Sequence, residues 1–333
     1  MDAPMNTLTD PYDRRLNYLR LSLTDRCNLR CLYCMPREGT VKLSHEDILT
    51  YEEILRLSAI AVSLGVTKIR LTGGEPLVRK GIHEFIPHLT ALVGLKEVSL
   101  TTNGILLKER LDDLKAWGIK RLNISLDTLD REKYRKITGH DGLEQTLESI
   151  EAARRAGFQP VKINVVVLEG INDDELLDFA KLSLTTQYHI RFIEYMPVGV
   201  TRTTPPLRYV PNARIKDKLS QIGRLVEIPR RSQDGPAERF RFENAPGEIG
   251  FISPLSHAFC HLCNRLRLTA NGHLKPCLLS PEEEDLMGPM RQGASDEDLA
   301  QIFLKVAFNK PHSHQRDLRN SIPSTSQMSS IGG

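Results

Sequence analysis

The sequence predicts an α/β protein, an incomplete (βα)6 parallel barrel with a smaller C-terminal region, on three observations. A strand-then-helix rhythm runs from Leu16 to about Met196. Polar and apolar residues alternate within the strands of that rhythm. Near Gly199 the rhythm stops, and Pro197, Pro205, Pro206, Pro211, Pro229 and Pro236 punctuate the chain.

The strands are expected at Leu19 to Thr24, Lys68 to Thr72, Glu97 to Thr102, Arg121 to Asp127, Val161 to Leu168 and His189 to Met196. Between them apolar residues recur at helical spacing, as in Leu55, Ala59 and Val62 or Leu143, Leu147 and Ile150. Successive βα units imply a parallel sheet with right-handed crossovers. Successive side chains on a strand point to opposite faces, so Arg20, Ser22 and Thr24 share one face and Leu19, Leu21 and Leu23 the other. The same two-faced pattern holds for Lys68, Arg70 and Thr72, for Asn123, Ser125 and Asp127, and for Lys162 and Asn164. Strands covered by helices on both faces would read as near-continuous apolar runs. A closed barrel fills its lumen with branched apolar residues. A polar inner face therefore suggests a barrel left incomplete around a polar ligand.

Beyond Gly199, Phe240 to Phe242, Glu248 to Ile252 and Arg265 to Thr269 look like short strands. Ser295 to Phe308 reads as a helix with Ser295 as its N-cap and Asp296, Glu297 and Asp298 in its first turn. The division expected is an N-terminal segment 1–15, the partial barrel 16–228, a C-terminal region 229–325 and a flexible tail 326–333 ending in Gly332-Gly333.

The 333 residues suffice for a large buried core, and 40% hydrophobic with 26% charged residues is a globular composition. A net charge of +3 and 6% aromatics do not describe a nucleic-acid surface. Met1 to Arg15 has no apolar core for a secretory signal, and apolar runs such as Ile163 to Leu168 fall far short of a membrane span. A cytoplasmic location is expected.

All six cysteines fall in two trios. Cys27, Cys31 and Cys34 follow the first strand as C-x3-C-x2-C; Cys260, Cys263 and Cys277 form C-x2-C-x13-C. A structural zinc site wants four protein ligands, and only His45 near the first trio, or His257, His261 or His273 near the second, could complete one. Three thiolates on a four-iron cluster would instead leave one iron open. Arg265 and Arg267 project from one face of a strand beside the second trio, where they would repel each other unless an anion lay between them.

At the first trio, with Tyr33 before its last cysteine and Thr72-Gly73-Gly74-Glu75-Pro76 after the second strand, the sequence resembles the radical S-adenosylmethionine (SAM) superfamily. The resemblance implies a [4Fe-4S] cluster on Cys27, Cys31 and Cys34, with SAM bordered by Tyr33, Gly74, Ser125 and Met196. Cys263 to Leu278, Gly250 to Pro254 and the terminal diglycine resemble, within that superfamily, the cyclases that act on GTP in molybdenum cofactor biosynthesis. That likeness implies a second [4Fe-4S] cluster, GTP-binding, on Cys260, Cys263 and Cys277. It also implies substrate contacts from Arg20, Arg70, Thr101, Lys162, Arg265, Arg267 and the Leu266 backbone, with Arg191 as an addition, and places Gly332 and Gly333 in the active site.

The implied reaction, that of a lyase, removes the C3′ hydrogen of GTP with a 5′-deoxyadenosyl radical and joins C3′ to C8, after which a further electron and proton complete the 7,8-dihydro product. The implied partners are GTP, a low-potential electron donor and a downstream enzyme that makes cyclic pyranopterin monophosphate; a homodimer stays open. Iron–sulfur potentials reach about −700 mV, low enough for the reduction required. Two rivals remain at this point. A radical SAM enzyme modifying a peptide would call for further cysteines, and a zinc-stabilised nucleic-acid-binding protein for an exposed basic and aromatic face.

Overall fold

The computed structural model describes residues 7–198, 206–230, 235–314 and 328–332. Six strands, β1 (Tyr18–Ser22), β2 (Lys68–Thr72), β3 (Glu97–Thr102), β4 (Arg121–Ser125), β5 (Lys162–Val167) and β6 (His189–Glu194), pair in parallel in chain order. Later strands are β7 (Leu225–Glu227), β8 (Glu238–Phe242), β9 (Glu248–Ile252), β10 (Arg265–Leu268), β11 (His273–Lys275) and β12 (Glu284–Asp285). Their order is β12-β11-β10-β1-β2-β3-β4-β5-β6-β9-β8-β7, with β10 parallel to β1 and β9 parallel to β6. The C-terminal region thus builds no sheet of its own among the described residues; it extends the first sheet at both flanks.

The alternation of the strands decides the core. Leu19, Leu21, Ile69, Leu71, Leu100, Leu122, Ile124, Ile163, Ile190, Phe192, Ile249, Phe251, Leu266 and Leu268 are buried on one face under the returning helices. Each such side chain contributes about 1.5–3 kcal/mol. The opposite face carries the polar residues. Thr50 caps the Tyr51–Ser63 helix, and Ser295 caps the Asp296–Phe308 helix that packs beside it; each shares a capping box, with Glu53 and Asp298 respectively. The Ser295 cap falls where the sequence predicts it.

β1, β4, β5 and β6 end one or two residues earlier than predicted, because the chain leaves the sheet to form the loops above it. The tail departs further from expectation. Composition predicts flexibility, but Met328–Ile331 forms a helical turn, with Met328, Ser329 and Ile331 buried. Ile331 and Met328 join Val198, Leu278 and Leu279 in a second apolar cluster. Apolar side chains with a partner of their own override a flexible composition. Gly333 lies outside the described residues. No helix among the described residues is long and apolar enough to cross a membrane.

Candidate active site

Strand register assembles the polar face into rows. Arg267, Arg20 and Arg70 lie side by side across β10, β1 and β2. One step toward the strands' amino ends lie Arg265, Tyr18 and Lys68. Thr101, Asn123, Lys162, His189 and Glu248 form a row across β3, β4, β5, β6 and β9, and Arg191 of β6 sits opposite Gly250. A methyl at Gly250 would approach Arg191 Cγ to 3.2 Å, so the glycine gives the arginine its room.

These rows line a cavity of about 520 Å³, within the range of small-molecule sites. Every described sequence-predicted site residue except Leu266 and Gly332 borders it. The Leu266 side chain lies in the core, which leaves only its backbone for the inner face. Gly332 reaches the site through its carbonyl, which accepts from Arg267 Nη1 at 2.7 Å.

The cations of the cavity depress one another. Burial, then Arg267, holds Arg20 well below the usual guanidinium range. Burial and Arg265 bring Arg267 to about 10, and burial and Arg70 bring Arg191 to about 10. Burial lowers Lys162 to about 6, with Arg191, Arg121, Arg70 and Lys68 adding to it. Burial acts to raise the Tyr18 phenol, but Arg70, Arg20, Lys68 and Arg265 outweigh it and draw it down to about 8. Arg70 Nε donates to the Tyr18 hydroxyl.

Lys68 is paired with Glu97 at 2.9 Å, and Arg121 shares that carboxylate at 3.2 Å. Arg191 and Glu194, on the same strand, form no ion pair among the described residues. Glu194 is fully buried and accepts instead from the main-chain N–H groups of Asn212, Leu255 and Ser256 at 3.0–3.1 Å, tying β6 to the loop before Cys260. Glu248 is taken by Arg239 at 2.8 and 2.9 Å. Arg70, Lys162, Arg191 and Arg267 have no carboxylate within ion-pair distance among the described residues.

The first trio sits on a loop fastened from three sides. Leu32 N–H donates to the Ile137 carbonyl at 2.9 Å and Arg30 N–H to the Thr138 carbonyl at 2.7 Å. Tyr33 donates its hydroxyl to Asp127 Oδ2 at 2.6 Å, while Val166 N–H holds Oδ1 at 2.8 Å. Gly74 N–H donates to the Thr24 carbonyl at 2.7 Å and Glu75 N–H to the Arg26 carbonyl at 2.8 Å. The sequence suggests that glycine at 74 lets a ligand approach; the packing gives a nearer reason. A Cβ there would stand 2.2 Å from the Arg26 carbonyl oxygen. Gly74→Ala is therefore expected to displace the cysteine loop and lower iron retention at the first trio at least tenfold, read as iron per chain after reconstitution and desalting. Full retention would contradict this.

The Glu75 carboxylate is buried, which raises it to about 7, and accepts from Thr102 Oγ1 at 2.8 Å and from the N–H groups of Asn103 and Leu77 at 2.7 and 3.2 Å. Asn103 Nδ2 lies 3.8 Å from Cys27 Sγ.

All six cysteines are free thiols, and both trios border the one cavity. Among the described residues no three His, Cys, Asp or Glu side chains close around the position of a single metal ion. Burial, then the Cys27 thiol, raises the Cys34 thiol. Burial would raise Cys263 too, but Arg265 and Lys310 bring it to about 6, suited to a thiolate ligand. Met196 touches the apolar cluster that also receives Cys34 and Cys277, while Ser125 is half-buried at the cavity wall.

Tyr18, Asn103 and Asp127 belong to the site but were not assigned to it from sequence. Tyr18 and Asp127 share inward faces with Arg20 and Ser125, so strand alternation carried a signal for both. Asn103 follows a strand end and carried none.

Residues 21–183 match the radical SAM superfamily and residues 188–316 match Molybdenum Cofactor Synthesis C. The fold is that of radical SAM proteins: SuiB of Streptococcus suis, solved bound to S-adenosylmethionine, superposes with a TM-score of 0.56 over 94% of this chain and 78% of its own, at 17% identity. A protein named GTP 3′,8-cyclase from Moorella thermoacetica is 48% identical over 98% of this chain and its own full length. Another of that name from Thermodesulfovibrio yellowstonii is 47% identical, again over 98% of this chain and all of its own. The chain belongs to the GTP 3′,8-cyclase family.

Proposed function

We propose that the chain is a radical SAM GTP 3′,8-cyclase, a lyase converting GTP to (8S)-3′,8-cyclo-7,8-dihydroguanosine 5′-triphosphate early in molybdenum cofactor biosynthesis. One observation carries the proposal: a single cavity bordered by two cysteine trios and floored by Arg20, Arg70, Lys162, Arg191, Arg265 and Arg267. Four of these, Arg70, Lys162, Arg191 and Arg267, have no carboxylate partner among the described residues, and enclosed cations of that kind are costly unless a ligand balances them. A triphosphate supplies that balance, and a purine ribonucleotide fits the volume.

Cys27, Cys31 and Cys34 would hold a [4Fe-4S] cluster, with Tyr33, Gly74, Ser125 and Met196 bordering SAM; Cys260, Cys263 and Cys277 would hold the second cluster. When bound, the first cluster and SAM supply the one-electron chemistry that ends in removal of the C3′ hydrogen. The chain's own part is placement. Arg20, Arg70, Thr101, Lys162, Arg265 and Arg267 orient the substrate's anionic end and sugar, and Arg267 holds the tail carbonyl beside them. Fixing sugar and base in one geometry turns an encounter into a unimolecular closure. No side chain is assigned as general acid or base.

The sheet is inferred to curl into an incomplete barrel, because side chains from β1 to β6, β9 and β10 border one volume. Residues 16–228 serve the methionyl cofactor and bring Arg20, Arg70, Thr101 and Lys162 to the substrate, and 229–325 serve the second cluster and bring Arg265 and Arg267 to the same substrate. The reaction calls for a low-potential electron donor and leaves its product to a downstream enzyme. The cytoplasm, which keeps thiols reduced, suits these ligands.

The reconstituted protein, given GTP, SAM and a chemical reductant, is expected to form a product isomeric with GTP and separable from it by chromatography, with 5′-deoxyadenosine in step. Deoxyadenosine without any guanosine product would favour the peptide-modifying alternative.

A further inference from the structure

The main chain around the second trio is held by two buried cations that the proposed reaction does not use. Lys310, just beyond the Asp296–Phe308 helix, is 3% exposed. Its Nζ donates to the Arg265 carbonyl at 2.9 Å and to the Pro276 carbonyl. Those carbonyls lie two residues after Cys263 and one before Cys277. Arg14, also buried, donates from Nη1 to the Cys260 carbonyl at 2.6 Å and from Nη2 to the Pro311 carbonyl at 2.7 Å. Each of the three cysteines therefore has a main-chain carbonyl within two residues fastened by a buried cation.

The two cations differ in what balances them. Arg14 Nε is paired with buried Asp10, whose carboxylate also accepts from the Arg14 N–H at 3.0 Å. Lys310 has no carboxylate within ion-pair distance among the described residues. Burial disfavours its charge; Cys263 and Cys277 favour it, while Arg265 and Arg14 oppose it. A buried ammonium that donates only to carbonyls needs an anion nearby, which Cys263 and Cys277 would supply as ligands of the proposed cluster.

We infer that Lys310 is a positioning residue for the second cluster: it staples the two halves of the ligand loop and serves as the cluster's counter-charge, while Arg14 fixes the Cys260 end. The inference rests on the assignment of Cys260, Cys263 and Cys277 as cluster ligands. A positive charge beside a cluster favours its reduced state, so removing that charge makes its potential more negative.

The test is anaerobic reconstitution followed by iron counting, electron paramagnetic resonance of the reduced protein with and without GTP, and a redox titration. Lys310→Met is expected to lower iron from about eight to about four per chain, or to leave a loaded second cluster with an altered signal and a more negative potential. The first cluster's signal stays as in wild type, and Lys310→Arg restores the second. Should Lys310→Met fail to fold, Lys310→Gln replaces it, since its amide still donates but carries no charge. A lowered potential in Lys310→Gln supports the inference; an unchanged one overturns it. Wild-type protein with only about four irons per chain would defeat the cluster assignment itself. Wild type with about eight, matched by Lys310→Met in iron, signal and potential, would overturn the role of Lys310 alone.

Discussion

Gly332→Ala is expected to lower cyclised product by about 100-fold or more, while iron content and SAM cleavage stay near wild type. Gly332 has φ of +79°, a conformation that L side chains rarely adopt. A Cβ at this position would stand 2.1 Å from Thr72 Oγ1 and 3.5 Å from Ser22 Cβ. Thr72 is buried on β2 and cannot move aside cheaply. The tail would have to lift, breaking the Arg267 contact to the Gly332 carbonyl and the 3.2 Å bond from Ala270 N–H to the Ser330 carbonyl. Arg267 would then lose the partner that orients it in the row with Arg20 and Arg70. Product and 5′-deoxyadenosine measured in the same reaction separate this from loss of the cluster. Combining the change with Thr72→Ala removes the clashing oxygen and is expected to recover part of the activity. Wild-type cyclisation by Gly332→Ala, or by a chain lacking both terminal glycines, would remove the tail from the active site.

Lys162→Met is expected to weaken GTP binding by about 30-fold to 1,000-fold, the loss typical of truncating one partner of a buried charge pair. The same lysine predicts a pH dependence. In the free site Lys162 is lowered to about 6, so above that value it is mostly neutral. A bound triphosphate favours the ammonium and raises it, so binding takes up a proton. Affinity contributed by Lys162 is thus fully present below pH of about 6 and falls, by up to tenfold per unit, as pH rises above it until the bound-state value is passed. Arg191, lowered only to about 10, stays charged across this window, and His189, lowered to about 3 by burial, stays neutral. Phosphate itself titrates near pH of about 6, so the window to use is above about pH 7. Calorimetry in buffers of different ionisation enthalpy reads the proton directly. Zero uptake in wild type, or uptake undiminished in Lys162→Met, would end this account.

How much of the site was legible can be judged residue by residue. Arg20, Arg70, Thr101, Ser125 and Lys162 all reach the cavity, because alternation along a strand fixes a face and register aligns neighbouring faces. Spacing alone grouped the cysteines into two trios, and the fold brings both to one cavity. The partner of Lys68 was not legible, since Glu97 lies on the next strand in the same row, a relation visible only once β2 and β3 are paired. The tail misled because serine and glycine composition says nothing of an apolar seat formed by Val198, Leu278 and Leu279 far away in the chain.

Local chemistry needs only near neighbours, so the sequence by itself determined the six βα repeats, the inward polar face, the Ser295 cap and the thiol clusters. Tertiary structure alone decided that β9 and β10 flank the parallel strands and bring the second trio to the same cavity as the first. It also decided that Glu194, Arg14 and Lys310 spend their hydrogen bonds on distant main-chain groups. A carbonyl is the same acceptor at every residue, so no side-chain pattern marks which of them a buried cation will find.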